Sequence, residues 1–341
     1  MAVVTKQKNG LHRLGVGLLL VALALVAGTS GAADRYRHFV IGNTRSKTPG
    51  PVTGGLLLMG GGDGNYAALR WFNAKAGHGH LVVLRASETT DVADDFFWGA
   101  GNIASVETFV FDARSESDDP RMLDSLARAD GIFIAGGDQS RYVRFWKGTP
   151  VARALDAHVQ AGKPLGGTSA GLAMLGEYLY GAMDGGSISS TEALADPLGG
   201  AVTIETDFLH IALLKGVVTD THVEIRHRLG RLFAFLAKAE SLRSPGRGPL
   251  RGLGVDEAAA VAVESDGTAR VFATARAAVA SLVQGDFGES QVDGQPLTLT
   301  RVHVTGVGVD SRLDLVRNTV ERPAFERDYA VDGGRLRLIA P

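Results

Sequence analysis

A serine flanked by glycines is the side chain in this sequence best suited to covalent catalysis. The run Gly167-Thr168-Ser169-Ala170-Gly171 follows a short apolar stretch that predicts a strand, and the apolar residues 172–180 after it predict a helix. A Gly-x-Ser-x-Gly sequence on a strand-to-helix turn is typical of a nucleophile elbow, which lifts the serine oxygen clear of the sheet. We therefore predict that Ser169 is a nucleophile. The alternative is an ordinary serine in a glycine-rich turn.

A serine hydroxyl is a weak nucleophile unless a base takes its proton and a third group orients that base. His222 ends a strand-like run in Asp220-Thr221-His222, so we expect it at the carboxyl edge of the sheet, where ligands bind in doubly wound folds. A second predicted strand ends in Asp256 and Glu257, which strand alternation sends to opposite faces. One of these carboxylates can orient His222, and spacing alone does not say which.

The order of these residues along the chain limits the class of hydrolase. Here the serine comes first, then the histidine, then the acid, whereas lipases and esterases of the α/β-hydrolase fold have the acid before the histidine. The order therefore argues against a lipase or esterase.

Backbone donors for an oxyanion are predicted beside the serine. Ala170 N–H, directly after Ser169, is one, and Gly137, in a glycine-rich turn that ends the neighbouring predicted strand, is the other. A second glycine run, at residues 60–65, lacks the last glycine of a dinucleotide fingerprint, and Arg85 stands where an acidic residue would end the next strand. Nucleotide binding is therefore disfavoured.

Three arginines, Arg226, Arg228 and Arg231, follow the histidine on residues 223–237, whose apolar spacing predicts a helix. Cations near a helix N-terminus oppose the macrodipole by about 0.3–1 kcal/mol each. An anionic ligand or buried carboxylates would explain them, because guanidinium binds carboxylate in a bidentate manner. A solvated basic face is the alternative. Arg231, deeper in the helix, is the best candidate for pairing with a protein carboxylate.

Composition bounds the class of protein. The chain has 341 residues, 45% hydrophobic and 21% charged, with a net charge of -2, which suits a large α/β domain and does not point to nucleic acid. The absence of cysteine excludes disulfides and lipoprotein attachment through cysteine. We expect neither a cofactor nor a metal.

The first 33 residues have the pattern of a secretory signal peptide. Lys6, Lys8 and Arg13 precede a short uncharged apolar run, and small residues follow up to Ala32 and Ala33. The apolar run is short for a membrane span. We expect cleavage near Ala32 or Ala33, export to the periplasm or the medium, and no stable membrane anchor.

The rest of the chain predicts a lead-in segment over residues 34–52 and one catalytic domain over residues 53–341. Continuous apolar strands alternate with helices and predict a mostly parallel sheet covered on both faces. Beyond residue 250, short strands joined by turns predict an antiparallel extension of the main sheet.

Four motifs in this order resemble the cyanophycinase group of peptidase family S51, over roughly residues 55–315. They are Gly136-Gly137-Asp138-Gln139, Gly167-Thr168-Ser169-Ala170-Gly171, Asp220-Thr221-His222 with the three arginines, and Gly254-Val255-Asp256-Glu257. The resemblance implies a three-layer α/β/α sandwich like that of class I glutamine amidotransferases, with the C-terminal β extension. It also implies a Ser-His-Glu triad of Ser169, His222 and Glu257, which selects Glu257 over Asp256.

The resemblance further implies a substrate and a pocket for it. Gln139, Asp220 and the three arginines would shape a pocket for a β-linked aspartyl unit. The substrate would be cyanophycin, a poly-aspartate carrying arginine on each side-chain carboxyl, which exported forms digest outside the cell to β-aspartyl-arginine dipeptides. Thr221 and Val143 depart from the cyanobacterial pattern of glutamine and lysine, so hydrolysis is better supported than this substrate.

Two other readings stay open. One is a related peptidase that acts on α-aspartyl or other short acidic peptides, and the other is a non-catalytic binding protein on the same fold. We expect a peptide or polymer as the partner and no nucleic acid, and a homodimer is left open.

Overall fold

Strands and helices alternate through the first part of the described chain, which comprises residues 36–86, 91–244, 246–275, 279–288 and 292–340 of this computed structural model. The predicted signal peptide over residues 1–33 lies outside these residues. The described strands are β1 Arg37–Gly42, β2 Gly55–Met59, β3 His80–Arg85, β4 Ser105–Val110, β5 Gly131–Ile134, β6 Leu165–Thr168, β7 Leu179–Tyr180, β8 Ile204–Glu205, β9 Val217–Thr221, β10 Arg251–Val255, β11 Ala259–Glu264, β12 Thr268–Ala273, β13 Ala280–Gly285, β14 Leu299–Val307, β15 Arg312–Asp314, β16 Thr319–Glu321, β17 Phe325–Asp332 and β18 Arg335–Ala340.

Four of the described α-helices have more than eight residues. The described α-helices are α1 Tyr66–Lys75, α2 Asp91–Asp94, α3 Pro120–Arg128, α4 Gln139–Trp146, α5 Pro150–Gln160, α6 Ala170–Ala173, α7 Ser190–Ala195 and α8 Leu229–Ser241. A π-helical turn spans Asp95–Ala100, and 3-10 turns span Arg114–Asp118 and Ala212–Leu214. Among the described residues, none of these helices is long and apolar enough to cross a membrane.

The larger sheet has the order β1-β4-β3-β5-β6-β2-β11-β12-β15-β16. Its centre, from β4 to β2, is parallel, and the strands on either side of that centre are antiparallel. Successive side chains of β2 enter different cores: Leu56 and Leu58 pack with helices α4 and α5, and Leu57 packs with α1. The predicted α/β sandwich with a parallel sheet covered on both faces is therefore confirmed.

The expectation that the C-terminal strands extend the main sheet holds for only some of them. β11, β12, β15 and β16 do so, but β13, β14, β17 and β18 join β9 and β10 in a second sheet of order β18-β17-β14-β13-β10-β9. Helix α8 connects the parallel pair β9 and β10, and its Leu232, Phe233 and Leu236 pack against Val304 and its neighbours. The strand before the histidine therefore lies in a different sheet from the strand before the serine. Apolar patterning predicts these two strands but not the strands with which they pair.

Two local predictions are corrected. The lead-in segment contains β1, an edge strand paired with β4, and its apolar residues Phe39 and Val40 are exposed. The helix predicted from residue 223 begins at Leu229, because His222 and His227 have positive φ angles of 54° and 49° that interrupt a helical backbone.

Candidate active site

Ser169 stands on a strained turn between β6 and α6. Its backbone has φ 52° and ψ -121°, a conformation that non-glycine residues rarely adopt and that concentrates at functional sites. A Cβ on Gly167 would lie 2.5 Å from the carbonyl carbon of Gly171, and one on Gly171 would lie 2.1 Å from the Ile134 oxygen. Both flanking residues must therefore be glycine for the turn to close, which explains the sequence pattern around the serine.

His222 meets this serine from the second sheet. It follows β9, and its backbone N–H donates to the Gly60 oxygen at 3.1 Å. Its Nε2 lies 2.7 Å from Ser169 Oγ, and its Nδ1 is hydrogen-bonded to Glu257 Oε1. The structure thus brings Ser169, His222 and Glu257 together in the order nucleophile, base and orienting carboxylate, a geometry that can activate a serine hydroxyl.

The surroundings of the imidazole favour its neutral form. His222 is 5% exposed, and this burial lowers its pKa; the hydrogen bond that its Nδ1–H donates to Glu257 raises the pKa and so acts in the opposite direction. Arg226, whose Nη2 lies 3.7 Å from Glu257 Oε1, lowers the His222 pKa further. A neutral imidazole next to a serine hydroxyl can accept its proton at neutral pH.

The adjacent carboxylate, Asp256, faces away from the imidazole. Its Oδ1 accepts the backbone N–H of Glu224 at 3.0 Å and its Oδ2 accepts that of Val279 at 3.2 Å. Burial raises the Asp256 pKa, against the effect of these two hydrogen bonds. Asp256 therefore ties the segment after His222 to the start of β13, while Glu257 contacts the imidazole.

The glycine run after β2 is part of this site, which the sequence reasoning missed. A Cβ on Gly61, whose φ is 108°, would lie 2.2 Å from His222 Cε1, and one on Gly62 would lie 3.4 Å from Glu257 Cβ. Both glycines therefore pack directly against the histidine and glutamate. Three glycines directly after a parallel strand are the signal for this contact, and the sequence pattern was interpreted only as a nucleotide fingerprint.

The two predicted oxyanion donors come from elements next to Ser169. Ala170 begins α6 directly after the serine, and the turn containing Gly137 ends β5, which pairs with the strand of the serine. A Cβ on Gly136 would lie 3.3 Å from Ser169 Cβ. The turn and the helix start thus border the serine on both sides.

Asp220 and Arg231 form a buried bidentate pair. Asp220 Oδ2 accepts from Arg231 Nε at 2.8 Å and Oδ1 accepts from Nη2 at 2.6 Å, and both side chains are 2% exposed. The remaining Arg231 Nη1 donates to Ser187 Oγ and the Ile188 oxygen. Both charges are therefore satisfied within the protein. The resemblance implies that Asp220 and Arg231 shape the substrate pocket; in the structure they bind each other, and the protein carboxylate considered as a partner for Arg231 is Asp220.

The other two arginines lie before helix α8. Arg228 donates to the Thr221 oxygen at 3.1 Å and to Ser187 Oγ at 3.0 Å, and its burial lowers its pKa to about 10. The Arg226 side chain is 52% exposed beside Glu257. Of the three arginines, Arg226 is thus the one that presents its charge to solvent at the site.

Gln139 is the first residue of α4, the helix that follows β5, and β5 pairs with the strand that precedes Ser169. Its Nε2 donates to the Tyr180 oxygen, and the residue is half-buried. It links the turn of Gly137 to strand β7. Among the described residues, no cluster of His, Asp and Glu side chains is suited to hold a metal ion.

Comparisons with known proteins find sequence similarity over part of the chain. The family model for peptidase family S51 matches residues 104–197, which include Ser169 and Gln139. The chain is 34% identical over 180 residues to a cyanophycinase of Synechococcus elongatus, covering 52% of this chain and 49% of that protein. It is 29% identical over 227 residues to a cyanophycinase of Trichormus variabilis, covering 65% of this chain and 69% of that protein.

The chain thus spans about half the length of the first of these curated relatives. Among solved structures, a peptidase from an acI-B1 Actinobacterium aligns with a TM-score of 0.48 and 14% identity, covering 78% of this chain and 98% of that one. The predicted resemblance to the S51 family is confirmed by the sequence matches.

Proposed function

We propose that this chain is a serine peptidase of family S51, the family to which its sequence is similar, with Ser169 as nucleophile, His222 as base and Glu257 as the carboxylate that orients the base. The observation that carries the proposal is the unbroken contact from Ser169 Oγ to His222 Nε2 at 2.7 Å and from His222 Nδ1 to Glu257. A merely structural serine would not require the strained turn and the two close-packed glycines around Ser169.

The proposed reaction has two stages. Ser169 Oγ attacks the carbonyl carbon of the scissile bond while His222 Nε2 takes the hydroxyl proton. The imidazolium, held by Glu257, then gives that proton to the leaving amine as the carbon–nitrogen bond breaks. A water molecule then attacks the acyl-enzyme carbonyl carbon while His222 takes its proton. The imidazolium gives that proton to Ser169 Oγ as the ester carbon–oxygen bond breaks, which releases the acid and restores the free serine and neutral histidine.

In this mechanism the negative charge on the carbonyl oxygen is stabilised by two backbone donors. We assign them to Ala170 N–H and Gly137 N–H, which belong to the two elements that border the serine. Donors that are already oriented before the reaction lower the barrier, and loss of one costs about 2.7–4 kcal/mol in a serine protease.

For the substrate we propose β-aspartyl peptide bonds, and specifically cyanophycin cleaved to β-aspartyl-arginine dipeptides. Relatives named cyanophycinase support this choice. The exposed guanidinium of Arg226 beside the triad suits a substrate carboxylate, and buried Arg228 adds positive charge behind it. Gln139 completes the predicted pocket from α4.

Incubation of the purified chain with insoluble cyanophycin, followed by an assay for soluble dipeptide, tests the substrate. Release of β-aspartyl-arginine is expected from the wild type and not from Ser169→Ala. Labelling of Ser169 by a fluorophosphonate tests the nucleophile separately. Labelling without dipeptide release would indicate a peptidase that acts on another substrate, such as α-aspartyl peptides. Absence of both would favour a binding protein on the same fold.

We also propose that the chain is exported after cleavage near Ala32 or Ala33, on the basic and apolar pattern of residues 1–33. N-terminal sequencing of protein from periplasm or culture medium tests this. An intact Met1 on membrane-bound protein would contradict it.

A further inference from the structure

A cavity of about 330 Å³ lies at the opposite ends of the two strands that precede the histidine and the glutamate. Gly216 and Arg251 line it where β9 and β10 begin. The two strands run parallel, with Arg251 paired to Val217 and Val255 to Thr221, so His222 and Glu257 follow at their other ends. At about 3.3 Å per residue, the cavity is on the order of 15 Å from the triad. It is therefore separate from the catalytic site.

The charges that line this cavity are unbalanced. It has four cationic side chains and one carboxylate, namely Lys215, Arg243, Arg247, Arg251 and Glu177. The carboxylate is already engaged, because Glu177 Oε2 accepts the Gly216 N–H and Oε1 accepts Arg247 Nη1 at 3.1 Å. Within the described part of the chain, no carboxylate oxygen lies within 4.0 Å of a Lys215 or Arg251 nitrogen.

Two of these arginines are also incompletely bonded inside the protein. The Nε atoms of Arg243 and Arg251 are buried and have no hydrogen-bond partner among the described residues. The Arg243 side chain is only 6% exposed, and Arg251 makes one long contact, from Nη2 to the Leu315 oxygen at 3.3 Å. Burial lowers the Arg251 pKa, and Glu177 acts in the opposite direction. Arg243 already has a counterion, because its Nη1 donates to Glu240 Oε2 at 2.7 Å. Arg251 is partly buried without a counterion, which is unfavourable, and an anion that accepts several N–H bonds would offset that cost.

We propose that this cavity binds a small oxyanion with two or more negative charges, in the class of inorganic phosphate and the di- and tricarboxylates. Guanidinium groups bind both kinds of anion in a bidentate manner, and Lys215 adds a point charge at the rim. The volume holds on the order of ten non-hydrogen atoms, at about 30 Å³ each. A single chloride would leave most of these donors unused.

Isothermal titration calorimetry of the full chain with phosphate, citrate and chloride, at constant ionic strength, tests the proposal. We expect saturable binding of phosphate or citrate at millimolar concentration or below, and none of chloride. The stronger of the first two identifies the source of the oxyanion. Absence of saturable binding for both phosphate and citrate at 20 mM ligand, a concentration of the order expected to saturate a millimolar site, would overturn the proposal.

Substitutions of the cationic residues that line the cavity test whether the anion binds there. Lys215→Gln and Arg251→Met should each weaken binding about tenfold or more, the size of a lost charge-assisted hydrogen bond of ~1.5–3 kcal/mol. Lys215 is exposed, so its variant keeps the test usable if Arg251→Met does not fold. Arg70→Gln, which removes an exposed charge from α1, is the matched control and should bind normally. Weakened binding in Arg226→Gln with normal binding in Lys215→Gln would place the anion at the triad and refute the proposal.

Discussion

Replacement of Arg231 by methionine should destabilise the protein far more than it changes the chemistry at Ser169. The substitution keeps much of the apolar side chain beside Phe235 and removes the guanidinium that pairs with Asp220. Asp220 would then be a buried carboxylate, 2% exposed, with the Thr221 N–H at 2.8 Å as a remaining donor. Removal of one partner from a buried ion pair costs about 3–5 kcal/mol, because the other charge stays buried without compensation.

The matched comparison is Arg226→Met, which removes the same charge from a side chain that is 52% exposed. Its free energy of unfolding should stay within about 0.5 kcal/mol of wild type. If Arg226 binds a substrate carboxylate, its kcat/KM should fall by about 10- to 100-fold, the equivalent of ~1.5–3 kcal/mol. The two arginines are thus predicted to separate into one that supports stability and one that supports substrate binding.

Urea unfolding gives the stability, and kcat/KM is measured per active site counted by fluorophosphonate labelling, so that unfolded protein does not enter the rate. The double variant Asp220→Leu/Arg231→Met should recover at least half of the lost stability, because it removes both buried charges. The reasoning is refuted if Arg231→Met unfolds within 1 kcal/mol of wild type, or if its folded fraction loses kcat/KM as Arg226→Met does.

Three further predictions concern the triad and its supports. Ser169→Ala and His222→Ala should each lower kcat by at least about a thousandfold with an unchanged circular dichroism spectrum, and Glu257→Gln should lower kcat by less. Activity within tenfold of wild type in either alanine variant would exclude Ser169 as nucleophile or His222 as base. Because protonated His222 cannot act as base and burial lowers its pKa, the acid limb of the kcat/KM profile should lie below pH 6.5. Arg226→Gln should move this limb to higher pH by about a few tenths of a unit, because it removes a cation that lowers the His222 pKa. Arg226→Lys keeps a cation at this position and should leave the limb unchanged. Asp256→Asn should lower the free energy of unfolding by about 1–3 kcal/mol and change kcat more than KM. An amide group cannot accept both of the backbone N–H bonds that hold the segment after His222. An unchanged kcat would mean that this segment needs no such support.

The nucleophile turn is the part of the site that local sequence determined. Gly167 and Gly171 are required by contacts of the turn with itself and with the neighbouring strand, so the Gly-x-Ser-x-Gly pattern carries the geometry of Ser169 directly. The parallel centre of the main sheet could also be predicted from the sequence, because its strands are buried on both faces and their residues form continuous apolar runs.

What each polar residue contacts was decided by tertiary structure. The strand before His222 lies in a second sheet, and only its pairing with β10 brings Glu257 to the imidazole and turns Asp256 to the backbone. The same packing buries Arg231 against Asp220 and leaves Arg226 exposed, although the sequence presents the two as members of one cluster. Local patterns encode burial and turn geometry, whereas a hydrogen-bond partner far along the chain is chosen by how the two sheets pack together.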